Sequence, residues 1–580
     1  MLMIPALQKA LDFFRKHPLL AGILTPGLYI LALLLIWPTS YETNDDFYMN
    51  IIASGFYSGS PDEHLIYSHF LPGLVLKFLF NLYAGINWYF FYLLFFHWFG
   101  WALIASSWFR AASNRMSIAA LLILFLLFET YFYLNLQFNT SAAILACGGM
   151  SLILAAWNFE KALNRNNIAG VMMITLASMI RYEPALLVSL LSAPIILFGK
   201  KDKVWISRWA LVISLPVCIY ASEWVNRLYY ASQPGWQTYI TELKNGNRFN
   251  DNPAFYQTVI NDRKDLEKIN GWSENDMLLF ALFFRNYAPV YNVEAYDKLY
   301  KAYARFQAKP FRDYFYLLRR DFGQIPVLIL AFLAFFSGSS RVKWSLLAQA
   351  SLLVLASYYI YSELIMKERV IYTVLLCLSL SYLFFLSGRP SGQSNSLLRS
   401  RSMRIGSMVF LLIGSVWMIV PLSAKAVDRQ VSLRKKLKQD LQLLNDPASC
   451  YIVYGACMRF EGIAPVENRF TYQNREFYML SLSAFNKSPL NMPNLQKFGA
   501  SSLENALANS RFKVVTFQDS AMIPLTPERL DRFTRDHLDC SLKVAGDTFV
   551  TNSDKRIFWF NQCVPLRDTL NTATDARPEE

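Results

Sequence analysis

Asp45 and Asp46 lie in the stretch YETNDDFYMNIIASGFYSG, residues 41 to 59. A carboxylate can take the proton from an attacking hydroxyl, and a well-placed general base contributes roughly 10²–10⁴ in rate. The pair directly follows an apolar run long enough to cross a bilayer as a helix, so the acids stand where the chain leaves lipid. Capping is the competing role, in which Asn44, Asp45 and Asp46 satisfy free backbone N–H groups and the dipole of a first helical turn. One acid suffices for that, and acids at a lipid boundary are costly enough to mark functional sites. Adjacent residues on a helix point about 100° apart. One acid is therefore expected to do the chemistry while the other caps or holds a cation.

Three basic residues stand where topology disfavours them. Arg181, in MIRYEPALL, separates two short apolar segments, and Lys367 and Arg369 lie in IYSELIMKERVIYTV. On the external face such cations suit a developing phosphate charge. The competing role is snorkelling or pairing, Arg181 with Glu183, and Lys367 or Arg369 with Glu363 or Glu368. Asn44, Tyr48, His64, Tyr182 and Glu183 flank these groups and are expected to touch substrate.

The elements that position these residues are membrane helices. The chain has 580 residues, 54% of them hydrophobic and 16% aromatic. Its apolar residues come in blocks of bilayer-spanning length. Crossings are expected at 20–38, 86–108, 117–134, 139–157, 168–180, 184–198, 209–225, 325–337, 344–362, 370–387 and 405–423, about eleven in all. Lys9, Arg15, Lys16, Arg110, Arg115, Lys161, Arg165, Lys200, Lys201, Lys203, Arg208, Arg341, Lys343, Arg389, Arg399, Arg401 and Arg404 then fall on one side. That side is cytoplasmic, with the N-terminus. The net charge of +14 thus serves topology, and no nucleic-acid partner is expected. Arg434, Lys435, Lys436 and Lys438 run against the rule, which long translocated domains often escape. The stretch before the first crossing is too long and polar for a cleaved signal peptide.

The organisation expected is a transmembrane domain, 1–424, with external loops 39–85 and 226–324, and a soluble external domain, 425–580. Residues 45–57 read as a helix lying in the plane of the interface, with Tyr48, Ile52 and Phe56 as its apolar stripe. Segment 68–84 reads as interfacial or a partial span. Loop 226–324 is rich in aromatics, among them Trp236, Tyr239, Trp272, Tyr291 and Tyr296, which suit an acceptor-side lid or ordinary packing. In the C-terminal domain SCYIVYGA, FKVVTFQD, DTFVTN and RIFWFNQ read as strands, and LRKKLKQDLQLL and PERLDRFTRDHL as helices, a small α/β domain. Cys450, Cys457, Cys540 and Cys563 form up to two disulfides there or stay as buried thiols. The tail from Asp568 reads as disordered. Walker, Rossmann and zinc patterns do not occur.

One cytoplasmic end, one crossing and then an acidic motif in a first external loop resemble the GT-C class of membrane glycosyltransferases. The number of crossings and the external C-terminal domain extend the resemblance over most of the chain in plan. A short basic stretch with a nearby Glu, here around Lys367 and Arg369, is similar to what GT-C enzymes carry in a late external loop. The resemblance implies a mainly α, polytopic bundle in a bacterial inner membrane, with its C-terminal domain in the periplasm. It implies that Asp45 or Asp46 activates the acceptor, a lipid-linked or cell-surface glycan. The donor is a polyprenyl-phosphate sugar, whose phosphate Arg181, Lys367 and Arg369 would hold. It calls for no nucleotide site, and no cofactor and no metal are expected. Because members differ in needing one, a divalent cation at Asp45 or Asp46, with His64 and His69, is the alternative. Two further readings compete. An O-antigen-type polymerase or ligase would make Arg285 or Arg312 central and Asp45 dispensable. A transporter or flippase of lipid-linked sugars would need mid-span charges, for which Glu129 and Glu223 are the nearest cases.

Overall fold

In the computed structural model the described residues are 12–13, 16–111, 115–156, 164–198, 205–250, 268–303, 330–331, 334–335, 340–363, 367–387, 401–454, 457–518, 525–550 and 554–566. Most of the sequence before residue 450 folds as helices: α1 (Pro18–Ile36), α2 (Asn44–Ala53), α3 (Phe70–Leu82), α4 (Trp88–Ala111), α5 (Arg115–Leu134), α6 (Phe138–Ala156), α7 (Arg165–Ile180), α8 (Tyr182–Phe198) and α9 (Trp205–Ala231). Then come α10 (Trp236–Asn250), α11 (Glu274–Ala281), α12 (Val293–Tyr303), α13 (Ser340–Glu363), α14 (Glu368–Ser387) and α15 (Arg401–Leu441). Among the described residues, four helices are long and apolar enough to cross a membrane: α1, α4, α6 and α9. Length and composition on that scale make this a membrane protein. The expected crossing at 325–337 lies mostly outside the described residues.

The bundle centres on α6, which packs on α4, α7, α8 and α14. Small residues allow that closeness. A Cβ built on Gly149 would stand 2.7 Å from the Gly170 carbonyl oxygen, so α6 and α7 meet backbone to backbone, as small residues permit between membrane helices.

Of the two short helices of the first loop, α2 corrects the sequence reading and α3 agrees with the interfacial or partial-span reading of 68–84. α2 does not lie half in lipid. Phe47, Ile51 and Ile52 are all fully buried, worth roughly 1.5–3 kcal/mol each against leaving them exposed. Apart from Asn50, the run FYMNIIA is apolar all round, and a helix of that kind is enclosed rather than one-faced. Phe56 lies beyond the helix end, where Gly55 turns the chain at φ +76°, a conformation open to glycine. The one-faced helix is α3. Leu74, Val75, Phe78 and Leu82 are exposed while Leu76 and Phe80 are buried. Its 13 residues reach about 20 Å, short of the roughly 30 Å bilayer core.

The C-terminal part carries a five-stranded sheet in the order β2-β1-β3-β5-β4, from β1 (Cys450–Tyr454), β2 (Tyr478–Leu482), β3 (Phe512–Phe517), β4 (Cys540–Phe549) and β5 (Lys555–Pro565). β1 pairs in parallel with β2 and β3, while β5 runs antiparallel to β3 and β4. Helices α16 (Met492–Lys497), α17 (Leu503–Leu507) and α18 (Pro527–Leu538) complete it. The expected boundary at 424/425 falls inside α15, which runs unbroken to Leu441. One disulfide forms, Cys540–Cys563; Cys450 and Cys457 are buried free thiols.

Candidate functional site

The chain leaves α1 and is first fixed at residues 40–42. Leu136 N–H donates to the Ser40 carbonyl at 3.2 Å and Glu42 N–H to the Leu136 carbonyl at 3.1 Å. This stitch ties the first loop to the turn between α5 and α6. It sets the N-terminus of α2 beside the N-terminus of α6.

Asp46 fills the gap between them. Its Oδ1 accepts from the Tyr89 hydroxyl at 2.9 Å and from the Phe138 N–H at 3.0 Å, and its Oδ2 accepts from Thr43 Oγ1 at 3.4 Å. Phe138 opens α6, so the carboxylate takes one of the free N–H groups every helix start leaves. Asp46 has no exposed surface. Burial drives its carboxyl well above the ordinary carboxylate range, the Tyr89 and Phe138 hydrogen bonds work against that, and the Asp45 charge adds to it. Asp45, one residue earlier on the first turn of α2, is only half-buried.

Asn44 links the pair to the sheet domain: its Oδ1 accepts from the Glu461 N–H at 3.0 Å. Tyr48 is buried, its hydroxyl taking a 2.6 Å bond from Ser481 Oγ. Its ring lies 4.7 Å from that of Phe485. Ser54 Oγ donates to the Phe470 carbonyl at 2.6 Å, and Arg475 and Asn494 both donate to the Tyr57 carbonyl. The C-terminal domain therefore clamps α2 along its length and positions the acids from above.

The cations gather on two sides. Arg369 is buried, with Nη1 3.6 Å from Glu42 Oε1. Glu42 is raised by burial, and the charges of Arg369, Arg429 and Lys367 oppose that rise. The Glu368 charge adds to the rise, and Arg369 also acts on Asp46. Neither Glu42 nor Arg429 was foreseen. They are 387 residues apart, and sequence spacing carries no signal for such a meeting. Arg434, one of the basic residues that ran against the charge rule, donates to the Thr39 carbonyl at 3.1 Å. The basic end of α15 is thus folded onto the first loop.

Arg181 stands apart from that cluster. Its Nε is 2.7 Å from Glu183 Oε2, and Nη1 donates to the Tyr67 carbonyl at 3.1 Å. Its guanidinium lies over the rings of Phe138 at 5.6 Å and Tyr182 at 6.0 Å. Phe138 is the bridge here, its N–H on Asp46 and its ring against Arg181.

His64 is placed elsewhere. Its Nδ1 is 2.7 Å from Asp62 Oδ1, and its ring stacks on Trp236 at 4.3 Å. His69 Nε2 sits 3.1 Å from the Ser222 carbonyl oxygen while its Nδ1 accepts from the Leu71 N–H. Both rings are engaged away from Asp45 and Asp46. Among the described residues, the group close enough to share an ion is Asp62, Glu63 and His64, and Glu63 is already held by Lys77 at 2.6 Å and Tyr229 at 2.8 Å.

The residues of the competing readings are placed as follows. Glu129 is wholly buried, 3.0 Å from His97 Nδ1 and 2.7 Å from Trp101 Nε1, tying α4 to α5. Glu223 pairs with Arg227 on α9. Arg285 is buried, and Arg312 lies outside the described residues. The aromatics of the long loop pack on one another, Trp272 on Tyr291 at 5.3 Å, and Phe284 on Phe533 of α18 at 5.3 Å. They make a core between α11 and α18.

No protein-family model matches the chain, and no curated protein matches it. Among solved structures it is similar to ArnT from Cupriavidus metallidurans, crystallised bound to undecaprenyl phosphate. The match has 12% identity, covers 92% of this chain and 97% of that one, and has a TM-score of 0.35. A score of that size fixes neither fold nor activity.

Proposed function

We propose that the chain is a membrane glycosyltransferase. It moves one sugar from a polyprenyl-phosphate donor to a hydroxyl of a lipid-linked or cell-surface glycan, at the periplasmic face of a bacterial inner membrane. The observation that carries the reading is the division of labour within the acidic pair. Asp46 is enclosed and spent on Tyr89, Thr43 and the α6 N-terminus. Asp45 stays half-buried beside it, on a helix clamped from the sheet domain.

In this reading Asp45 takes the proton of the acceptor hydroxyl as its oxygen attacks the anomeric carbon. The bond from that carbon to the donor phosphate oxygen breaks, and polyprenyl phosphate leaves with the bonding pair. Its new charge needs preorganised cations, which Arg369 and Lys367 supply, with Arg181 on the far side of Phe138. Asn44 orients Asp45 through its bond to Glu461. Tyr182 and Glu183 hold Arg181. The reading assigns no step to a metal, so transfer is expected to survive chelation.

The Cys540–Cys563 disulfide supports placing the C-terminal domain in an oxidising compartment. The exposed apolar face of α3 supports contact with lipid at the same level.

The test is transfer of labelled sugar from a polyprenyl-phosphate donor by purified Asp45→Asn and Asp46→Asn proteins, each checked for folding. Asp45→Asn is expected to lose about 10²–10⁴ of the rate while still binding donor. Asp46→Asn is expected to lose stability more than rate. Normal transfer by Asp45→Asn would end this reading and return the question to the arginines of the polymerase alternative.

A further inference from the structure

A second group of cations lies at the end of α2 opposite the acids, where the turn after that helix meets the sheet domain. Arg475, just before β2, is half-buried, and Lys497, the last residue of α16, is exposed. Tyr478, which opens β2, stands between them. The Arg475 guanidinium lies over its ring at 4.3 Å and over that of Phe56 at 5.7 Å. Lys497 Nζ lies 3.7 Å from the centre of the Tyr478 ring and donates to its hydroxyl. That hydroxyl is also among the groups that act on Arg475.

The protein fixes Arg475 without neutralising it. Nη2 donates to the Tyr57 carbonyl at 2.7 Å and to Asn494 Oδ1 at 3.0 Å, both uncharged acceptors. Nε is buried without a partner. Nη1 faces Gly59, where a Cβ would stand 3.5 Å away, so no side chain covers that edge of the fork. Glu476, the next residue, pairs instead with Arg469 at 2.5 Å, and Asp446 with Lys513 at 2.8 Å. Burial pulls the guanidinium below its ordinary value, and what opposes that is Tyr478 and Cys450 rather than a carboxylate. Among the described residues, neither Arg475 nor Lys497 has an ion-pair partner. Two positive charges therefore share one tyrosine with no acid between them.

We propose that Arg475, Lys497 and the Tyr478 hydroxyl bind a phosphate monoester. Both cations suit phosphate, the guanidinium as a fork and the ammonium as a point charge. A phosphate monoester carries about −1.5 to −2 charge at pH 7, which meets two cations; a carboxylate would leave one of them unmet. The group comes either from a sugar phosphate in the aqueous phase or from a lipid headgroup, and the experiment separates the two. The site does not depend on the transfer reading.

Binding of glucose 6-phosphate to the purified full-length protein is measured by titration calorimetry in detergent. Saturable binding is expected, weakened by salt and weakened as pH falls through about 6, where the phosphate gains a proton. Methyl glucoside, which lacks the phosphate, is expected not to bind. Arg475→Gln and Lys497→Gln are each expected to weaken binding by roughly tenfold or more, since each removes a charged hydrogen bond. Lys497 is exposed, so its variant keeps the test open should Arg475→Gln not fold. Arg369→Gln, in the cluster beside Glu42, is expected to bind as the wild type does, so that loss of transfer and loss of this site are read separately. The same titration in phosphatidylcholine nanodiscs, with and without phosphatidic acid, names the source. Binding abolished by phosphatidic acid assigns the site to a lipid headgroup, and binding that persists assigns it to a sugar phosphate. No saturable binding of glucose 6-phosphate, equal binding of methyl glucoside, unchanged affinity in both Arg475→Gln and Lys497→Gln, or binding lost in Arg369→Gln and kept in Lys497→Gln would overturn the proposal.

Discussion

Glu42 and Asp46 lie on one short stretch, both largely withdrawn from water, and the protein holds them by opposite means. Asp46 is held by neutral donors, a tyrosine hydroxyl, a threonine hydroxyl and a backbone N–H. Glu42 is held by charge, with Arg369 at 3.6 Å and Lys367 and Arg429 in range. Neutral donors fix geometry and leave no charge to share. Arg369, Arg429 and Lys367 act on Glu42 against Glu368, so cations gather there, and in the proposed reading a phosphate uses them. In that reading the first pocket is an anchor and the second receives the leaving phosphate.

Of the two pockets, the second should give the larger effect on transfer. Arg369→Gln is expected to cut transfer by roughly 10²–10³, as when a preorganised charge-stabilising donor is removed. Arg181→Gln is expected to cost about tenfold or less, since its charge is already met by Glu183 at 2.7 Å. Initial rates with labelled donor check both. A larger loss from Arg181→Gln would break the comparison and move the phosphate to the other side of Phe138.

Next comes the anchor. Asp46→Ala leaves the Phe138 N–H and the Tyr89 hydroxyl buried without an acceptor, at about 1–3 kcal/mol. Asp46→Asn keeps one acceptor oxygen and should cost less. Thermal unfolding in detergent separates the two variants. If they unfold together at the wild-type midpoint, Asp46 is not an anchor.

Local pattern carried much of the fold and little of the site. The helix read at PERLDRFTRDHL is α18, Pro527–Leu538, because its Thr cap, N1 proline and periodicity agree. The apolar run read at 184–198 is α8, Tyr182–Phe198. β2, YMLSL, went unread because five residues with one serine give no clear period. For α2 the stripe of Tyr48 and Ile52 was visible, but the apolar residues between them decided the outcome, and what covers them is a domain some 400 positions later. The acids and basic residues were legible as types. That Asp46 would be spent on α6, or that Glu42 would gather Arg369 and Arg429, depends on contacts between distant segments, which one sequence does not spell out.

The finest test of the comparison is pH. Burial places the Asp46 carboxyl well above its unfolded value, which is about 3.9. The fold thus favours the protonated form. The stability this form contributes is complete below about pH 4 and is lost as pH rises through the folded value; above that the charged form is buried at a constant cost. Glu42 is raised as well, but Arg369, Arg429 and Lys367 pull it back, so its share of the decline should be smaller. Unfolding midpoints from pH 4 to 8 are expected to fall for the wild type. Asp46→Asn should flatten the fall the most and Glu42→Gln less, because Glu42 is ion-paired with Arg369 at 3.6 Å while Asp46 is held by neutral donors. If Glu42→Gln flattened the curve more than Asp46→Asn, the cations would be serving elsewhere, and Glu42 would be the lonelier acid of the two.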